Sequence, residues 1–281
     1  MLDLDAKPDL QFFFDELGQA PTSALLLDYD GTLAPFRQDR YEVLPYPGLP
    51  MLLTEIMNTG HTRVVLITGR PAHEVATLLG IRPHPEIWGA HGLQRLRPDG
   101  SCELPHLDEN AILALTEADV WLDGLGLHHL AEHKPGSLAM HWRGLSAGEQ
   151  SDIRKLVLVG WRPVARRAGM VLQEFDCGVE MRMAERSKGD AVRTILTEMD
   201  GEAPVAYLGD DQSDEDAFRA LRDRGLCALV RPQWRGTAAS IWLKPPADLL
   251  VFLVDWLEAC LNAQRPPLLR GYDRDRALSR G

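Results

Sequence analysis

Residues 25–33 read LLLDYDGTL. An apolar run of strand length delivers Asp28 and Asp30 and is then halted by a Gly-Thr turn. Strand side chains alternate with a period of two, so both carboxylates are expected to leave a sheet on the same side. Two carboxylates that close repel each other unless a cation or a shared proton stands between them. The segment therefore reads as built for metal-assisted chemistry, against the plainer alternative of an aspartate-rich turn closing an ordinary strand.

Four further pieces follow in order, each after its own apolar run: VVLITG at 64–69, Lys188 with Gly189 at the head of a helical pattern, LGDD at 208–211 and DED at 214–216. Singly these have ordinary readings: Thr68 as a turn hydroxyl, Lys188 as a solvated helix-start lysine, and the acids as a helix N-terminus that suits the dipole. Together and in this order they resemble the haloacid dehalogenase superfamily of phosphotransferases and phosphatases. The resemblance implies Asp28 as a nucleophile that forms an aspartyl-phosphate, with Asp30 as the acid and base of its two half-reactions. It implies Thr68 as the hydroxyl that steadies the phosphoryl oxygens and Lys188 as the ammonium that offsets charge on nucleophile and phosphate. It also implies magnesium (Mg2+) as cofactor, held by Asp28, the main-chain oxygen of Asp30, and Asp210. Asp211 and Asp214 then act through waters or by orienting Lys188. The superfamily's ion-pumping ATPases carry threonine at the second position, so Asp30 favours a hydrolase or a mutase.

Composition agrees with such an enzyme. A chain of 281 residues, 45% of them hydrophobic, exceeds one average domain and can fill real cores. The net charge of -11 argues against nucleic-acid or anionic-membrane partners, which need basic surface. Cys102, Cys177, Cys227 and Cys260 have no paired spacing, so reduced thiols are expected rather than a disulfide frame or a zinc site. The N-terminal MLDLDAKPDLQFFFDEL has acids where a signal peptide needs bases, and no apolar run reaches spanning length. A soluble, cytoplasmic protein is the expectation.

Strands and helices alternate up to about residue 93: a strand before Asp28, a helix over 49–57 with Pro50 at its start, a strand over 62–68, a helix over 72–79, and a strand at 87–88. This rhythm predicts a Rossmann-like α/β core, a parallel sheet with helices on both faces and ligands at the carboxyl ends of its strands. Residues 105–183 have a different grammar: helix 108–124, strands 127–132 and 138–143 around Pro135-Gly136, helix 146–163, and strands 170–175 and 179–183 around Cys177-Gly178. A doubled helix-strand-strand unit predicts an antiparallel sheet with helices on one face, an inserted α+β cap domain. The parallel grammar resumes with helix 188–199, strands 205–208 and 226–230, and a closing helix 247–263. The expected organisation is a core of 1–104 and 184–267, a cap of 105–183, and a disordered tail at 268–281.

Substrate identity has to come from the insert. GDDQSDEDAF at 209–218, GAHGL at 89–93, Glu132-His133-Lys134, AMHWR at 139–143 and VEMR at 179–182 together resemble the trehalose-6-phosphate phosphatase family. In that family the insert closes over the core and reads the disaccharide. By position Glu132, Lys134 and Glu180 match residues that hydrogen-bond glucose hydroxyls, and Arg143 matches a cap arginine that faces the phosphate end. The chemistry agrees, since acids and a lysine suit vicinal hydroxyls and a guanidinium suits phosphate. The plainer reading is a row of exposed strand residues on a polar face. One departure is Ser213, where the family usually has threonine, which keeps the hydroxyl and loses a methyl. His91, His128, His129, His133 and His141 suggest no metal spacing, and surface or core roles are expected for them. The resemblance implies magnesium-dependent hydrolysis of trehalose 6-phosphate, a small-molecule sugar phosphate substrate, functional pairing with a trehalose-6-phosphate synthase, and a monomer. The alternatives are a phosphatase for glucosylglycerol phosphate, glucosyl-phosphoglycerate or sucrose phosphate, a related phosphohexomutase, or a sugar-phosphate sensor without turnover. Intact Asp28, Asp30, Lys188 and Asp210 weigh against the sensor, which has no need of a nucleophile.

Overall fold

The structure, a computed structural model, describes residues 10–37, 42–104, 108–175, 177–183, 187–199 and 201–263. After a first helix, α1 (Leu10–Leu17), the chain builds β1 (Ser23–Leu27), α2 (Leu49–Asn58), β2 (Thr62–Ile67), α3 (Ala72–Leu79) and β3 (Glu86–Gly89). Two short strands follow, β4 (Gln94–Leu96) and β5 (Cys102–Glu103). The middle of the chain forms α4 (Glu109–Gly124), β6 (Ala131–Lys134), β7 (Ser137–His141), α5 (Ala147–Arg167), β8 (Met170–Phe175) and β9 (Gly178–Met183). The remainder is α6 (Lys188–Thr197), β10 (Val205–Gly209), α7 (Glu215–Leu221), β11 (Leu226–Val230), β12 (Ile241–Leu243) and α8 (Ala247–Ala263).

The larger sheet has the order β12-β11-β10-β1-β2-β3-β4-β5. Its strands are parallel from β12 to β3, and β4 and β5 add to the edge antiparallel. Every residue of β1 is buried, as expected of a parallel strand covered on both faces. Alternation along β1 sends Leu25 and Leu27 into a core shared with Phe252 and Trp256 of α8, while Ala24 and Leu26 join Val192, Ile195 and Phe218 on the opposite face. The α/β core with helices on both faces is thus present.

The second sheet has the order β6-β7-β9-β8 and is antiparallel throughout. Its apolar residues, among them Met140 and Met181, pack on Ala118 and Leu122 of α4 and Val157 and Trp161 of α5. The opposite face of this sheet carries the polar residues discussed below.

Several local expectations change. The strand expected over 127–132 opens as a 3-10 turn at His128–Leu130, and pairing begins only at Ala131. Helix α5 passes through Pro163 to Arg167, because buried Val164 and Ala165 continue its apolar stripe and tertiary packing outweighs the lost N–H. Helix α1 and strands β4, β5 and β12 were not anticipated, the strands being two or three residues long and without a readable period. The tail expected to be disordered lies outside the described residues. Among those described, no helix is long and apolar enough to cross a membrane.

Candidate active site

Three adjacent strands, β10, β1 and β2, end side by side because Leu27 is in register with both Leu66 and Leu208. The residues just beyond them are Asp28, Thr68 and Asp210, at the carboxyl edge where ligands of open parallel sheets bind. Strand β1 stops at Leu27, so strand alternation does not reach Asp30, yet both aspartates border one cavity. Gly31, at φ +79, turns the chain instead; a Cβ there would stand 2.1 Å from Asp210 Oδ2. Asp28 stays buried at the sheet edge. Asp30 reaches outward to a bidentate pair with Arg70, both contacts at 2.7 Å.

Lys188 opens α6 behind a Ser187–Asp190 capping box, which fixes the first turn of that helix. Its side chain runs inward and is buried, with Nζ donating to Asp28 Oδ1 at 2.6 Å and to Asp214 Oδ1 at 2.8 Å. Burial alone would depress this ammonium, but Asp214 and Asp28 more than reverse that and raise its pKa. The plain reading of Lys188 as a solvated helix-start residue is overturned by this burial.

Asp214 is saturated by the protein itself. Its Oδ1 also accepts from Tyr207 Oη at 2.6 Å, and its Oδ2 accepts the main-chain N–H groups of Asp210 and Asp211. It orients Lys188 and the loop that carries Asp210. Asp211 is partly exposed and borders the cavity above. Arg235, which sequence reasoning missed, donates to the carbonyls of Asp210 and Asp211 and pairs with buried Glu215. Its signal is absent from the linear pattern, because a lone arginine in a loop 25 residues downstream has no readable relation to Asp210.

Carboxylate oxygens of Asp28, Asp210 and Asp214 lie within 4.8 Å of one another. Asp210 Oδ1 is buried and has no hydrogen-bond partner among the described residues. Burial pushes Asp28 up to about 7 despite the pull of Lys188, with Asp214 and Asp30 adding to the rise. Burial also raises Asp210 well above the usual carboxylate range, with the Asp28 and Asp214 charges next in effect. An orphaned oxygen beside mutually repelling carboxylates is the environment that a hard divalent cation with oxygen ligands completes, so the residues present fit magnesium. Thr68 is fully buried; its Oγ1 accepts the main-chain N–H of Arg70 at 3.1 Å, which leaves its own proton to donate.

A cavity of about 830 Å³ opens above Asp28, Asp30 and Lys188. Its far wall comes from the second sheet, where Glu132 and Glu180 both pair with Ala139 from opposite sides and so project from one face. Lys134 Nζ stands 3.3 Å from Glu180 and 3.9 Å from Glu132. Glu132 accepts from His141 Nε2 at 2.7 Å. Glu180 is buried and accepts from Ser137 at 2.5 Å and from His91 at 2.9 Å as well as from Lys134. Burial alone would raise this carboxyl, but Lys134 and His91 hold it well below its usual range. Arg143 borders the same cavity, donating to the Arg37 carbonyl at 3.0 Å beside the Phe36 ring. All four expected cap residues therefore border the space over Asp28, whereas Arg70 and His91 were not anticipated there.

The trehalose-phosphatase family profile matches residues 129–240. The chain is 30% identical over 245 residues to the trehalose-phosphate phosphatase of Mycobacterium marinum (strain ATCC BAA-535 / M), covering 83% of this chain and 60% of that protein. The chain thus spans about 60% of the length of that curated relative. The C-terminal domain of C. albicans trehalose-6-phosphate phosphatase superposes with a TM-score of 0.76 at 18% identity, over 89% of this chain and 97% of that one. A haloacid dehalogenase-like hydrolase from Bacteroides thetaiotaomicron superposes with a TM-score of 0.55 at 13% identity, over 79% and 94% of the two chains. These structural likenesses establish the haloacid dehalogenase fold.

Proposed function

We propose that this chain, a relative of the trehalose-phosphate phosphatases with the haloacid dehalogenase fold, hydrolyses trehalose 6-phosphate to trehalose and phosphate. The observation that carries the reading is the juxtaposition of two walls. Asp28, 2.6 Å from buried Lys188, forms the floor of a cavity whose opposite wall is the polar row Glu132, Lys134 and Glu180.

In this reading an oxygen of Asp28 attacks phosphorus in line, and the ester oxygen leaves as the aspartyl-phosphate forms. Lys188 offsets the negative charge that nucleophile and phosphoryl group bring together. Asp30 would serve the departing sugar oxygen as acid once one of its oxygens leaves the bidentate Arg70 grip and takes a proton from solvent, and afterwards takes a proton from the water that releases phosphate. The Thr68 hydroxyl steadies a phosphoryl oxygen. Asp28, the Asp30 carbonyl and Asp210 would hold magnesium, with Asp211 and Asp214 behind them, and the bound cation supplies charge neutralisation for the phosphate.

On the far wall Glu132 and Lys134 meet sugar hydroxyls, and Arg143 serves the phosphate end. Glu180 already accepts three protein donors, so it offers about one further acceptor site and serves also to aim Lys134. Such a substrate presupposes a synthase that makes the phosphorylated disaccharide. Phosphate release measured over a panel of trehalose, sucrose, glucosylglycerol and glucosyl-glycerate phosphates tests the reading. Trehalose 6-phosphate is expected to lead in kcat/KM, and a uniform, slow response to every ester would overturn the substrate assignment.

A further inference from the structure

Beside the catalytic cavity, which His133 also borders, the inserted domain gathers Asp119 of α4, His128 of the 3-10 turn and His133 of β6. Asp119 Oδ1 lies 3.3 Å from His128 Nδ1 and 2.9 Å from His133 Nε2. The three candidate ligand atoms all fall within 4.8 Å of one another, and the two imidazole rings stand 5.5 Å apart between centroids. Asp119 Oδ1 is withdrawn from solvent, yet neither approach has hydrogen-bond geometry, and it has no such partner among the described residues. Leaving a buried acceptor unmade is costly, and a shared cation between the three atoms removes that cost.

We propose that Asp119, His128 and His133 form a second metal site, one that takes a borderline divalent ion of the zinc type. Two imidazole nitrogens and one carboxylate oxygen form a donor set that suits Zn2+ and leaves a fourth, tetrahedral position to water. It is chemically unlike the all-oxygen cluster at Asp28. Bond lengths of about 2.0–2.2 Å put tetrahedral ligand atoms roughly 3.3–3.5 Å apart, so the present separations need only small side-chain adjustments. His128 and His133 also have four intervening residues, within the range of zinc-binding histidine pairs, so for these two the expectation of no metal spacing is revised by the convergence on Asp119.

The site clips three elements together. His133 lies between Glu132 and Lys134 on β6, and alternation turns it toward α4 while its neighbours face the cavity. A bound ion therefore ties the strand that borders the cavity to the helix behind it. This assignment does not depend on the hydrolytic reading, since none of its three ligands belongs to the proposed machinery.

The test uses the untagged full-length chain and Co2+ as a spectroscopic probe. Four-coordinate Co2+ with imidazole donors absorbs strongly in the visible, whereas six-coordinate Co2+ in an oxygen site absorbs weakly. The expected result is one strongly absorbing Co2+ per chain, displaced by Zn2+, with Zn2+ affinity weakened at least about tenfold in His133→Ala and in Asp119→Asn but kept in Asp28→Asn. Zn2+ is also expected to raise the melting temperature of wild type and not of His133→Ala. Absence of the strong band, its survival in both variants, or its loss in Asp28→Asn would overturn the proposal. If His133→Ala melts early without metal, His128→Ala takes its place in the same comparison.

Discussion

His91 Nε2 donates to Glu180 Oε2 across 2.9 Å, which joins the loop after β3 of the parallel sheet to β9 of the antiparallel one. The contact rests on an unusual backbone: His91 sits at φ +54, in the left-handed region that non-glycine residues seldom enter. Its ring fills the space above Gly69, where a Cβ would come within 2.7 Å of Cε1. A strained residue seated against a glycine and aimed at a buried carboxylate holds the two sheets in one relation over the cavity.

Replacing His91 by alanine is accordingly expected to release Glu180 and to cost about 1–3 kcal/mol in binding the sugar, roughly 5–150-fold in KM. p-Nitrophenyl phosphate, too small to reach Glu180, is expected to keep its turnover. Equal losses on both esters would show that His91 supports the Asp28 floor instead.

Asp28→Asn keeps the shape of the side chain but cannot form the acyl phosphate. Phosphate release is expected to fall by more than about a thousandfold, some 4 kcal/mol of barrier, with the fold retained by circular dichroism. Activity within about tenfold of wild type would exclude Asp28 as the nucleophile.

Magnesium and pH are expected to act together. Burial pushes Asp28 up from 3.8 to about 7, so between those two values the folded chain keeps a proton there that the unfolded chain has released. That contribution to stability is complete below pH 3.8 and is lost as pH rises through about 7. A divalent cation takes over from the proton, so the gain in Tm on adding Mg2+ is expected to be larger at pH 8 than at pH 5, and chelation to reverse it. A Tm gain independent of pH would place the cation elsewhere.

Arg70→Lys replaces a planar two-point grip on Asp30 by a single point charge. A misplaced proton donor is expected to slow the first turnover of a sugar phosphate by about 10–100-fold. The p-nitrophenolate leaving group needs no proton, so its first turnover is expected to change much less. Single-turnover quench-flow with both esters makes the comparison, and parallel losses would remove Asp30 from the role of acid.

The sequence by itself determined the α/β core, the antiparallel insert and the places of β1, β2 and β10, because continuous apolar runs, alternation and Gly/Pro punctuation are local signals that a linear reading can detect. It carried β1 past Leu27, however, and ended β2 one residue late and β10 one residue early. It also marked Asp28 and Asp210, which follow strand-like runs, and Lys188, which heads a helical pattern. Only the tertiary structure decided what those groups touch. That Lys188 is buried between Asp28 and Asp214, that Arg70 grips Asp30, that Arg235 ties the acidic loop, and that His91 reaches Glu180 all depend on residues 25 to 160 positions apart. The same holds for Asp119, His128 and His133, whose convergence follows from a 3-10 turn where a strand was expected. Side-chain direction beyond the last paired residue is set by packing and by charge at close range, and neither has a period that a sequence can display.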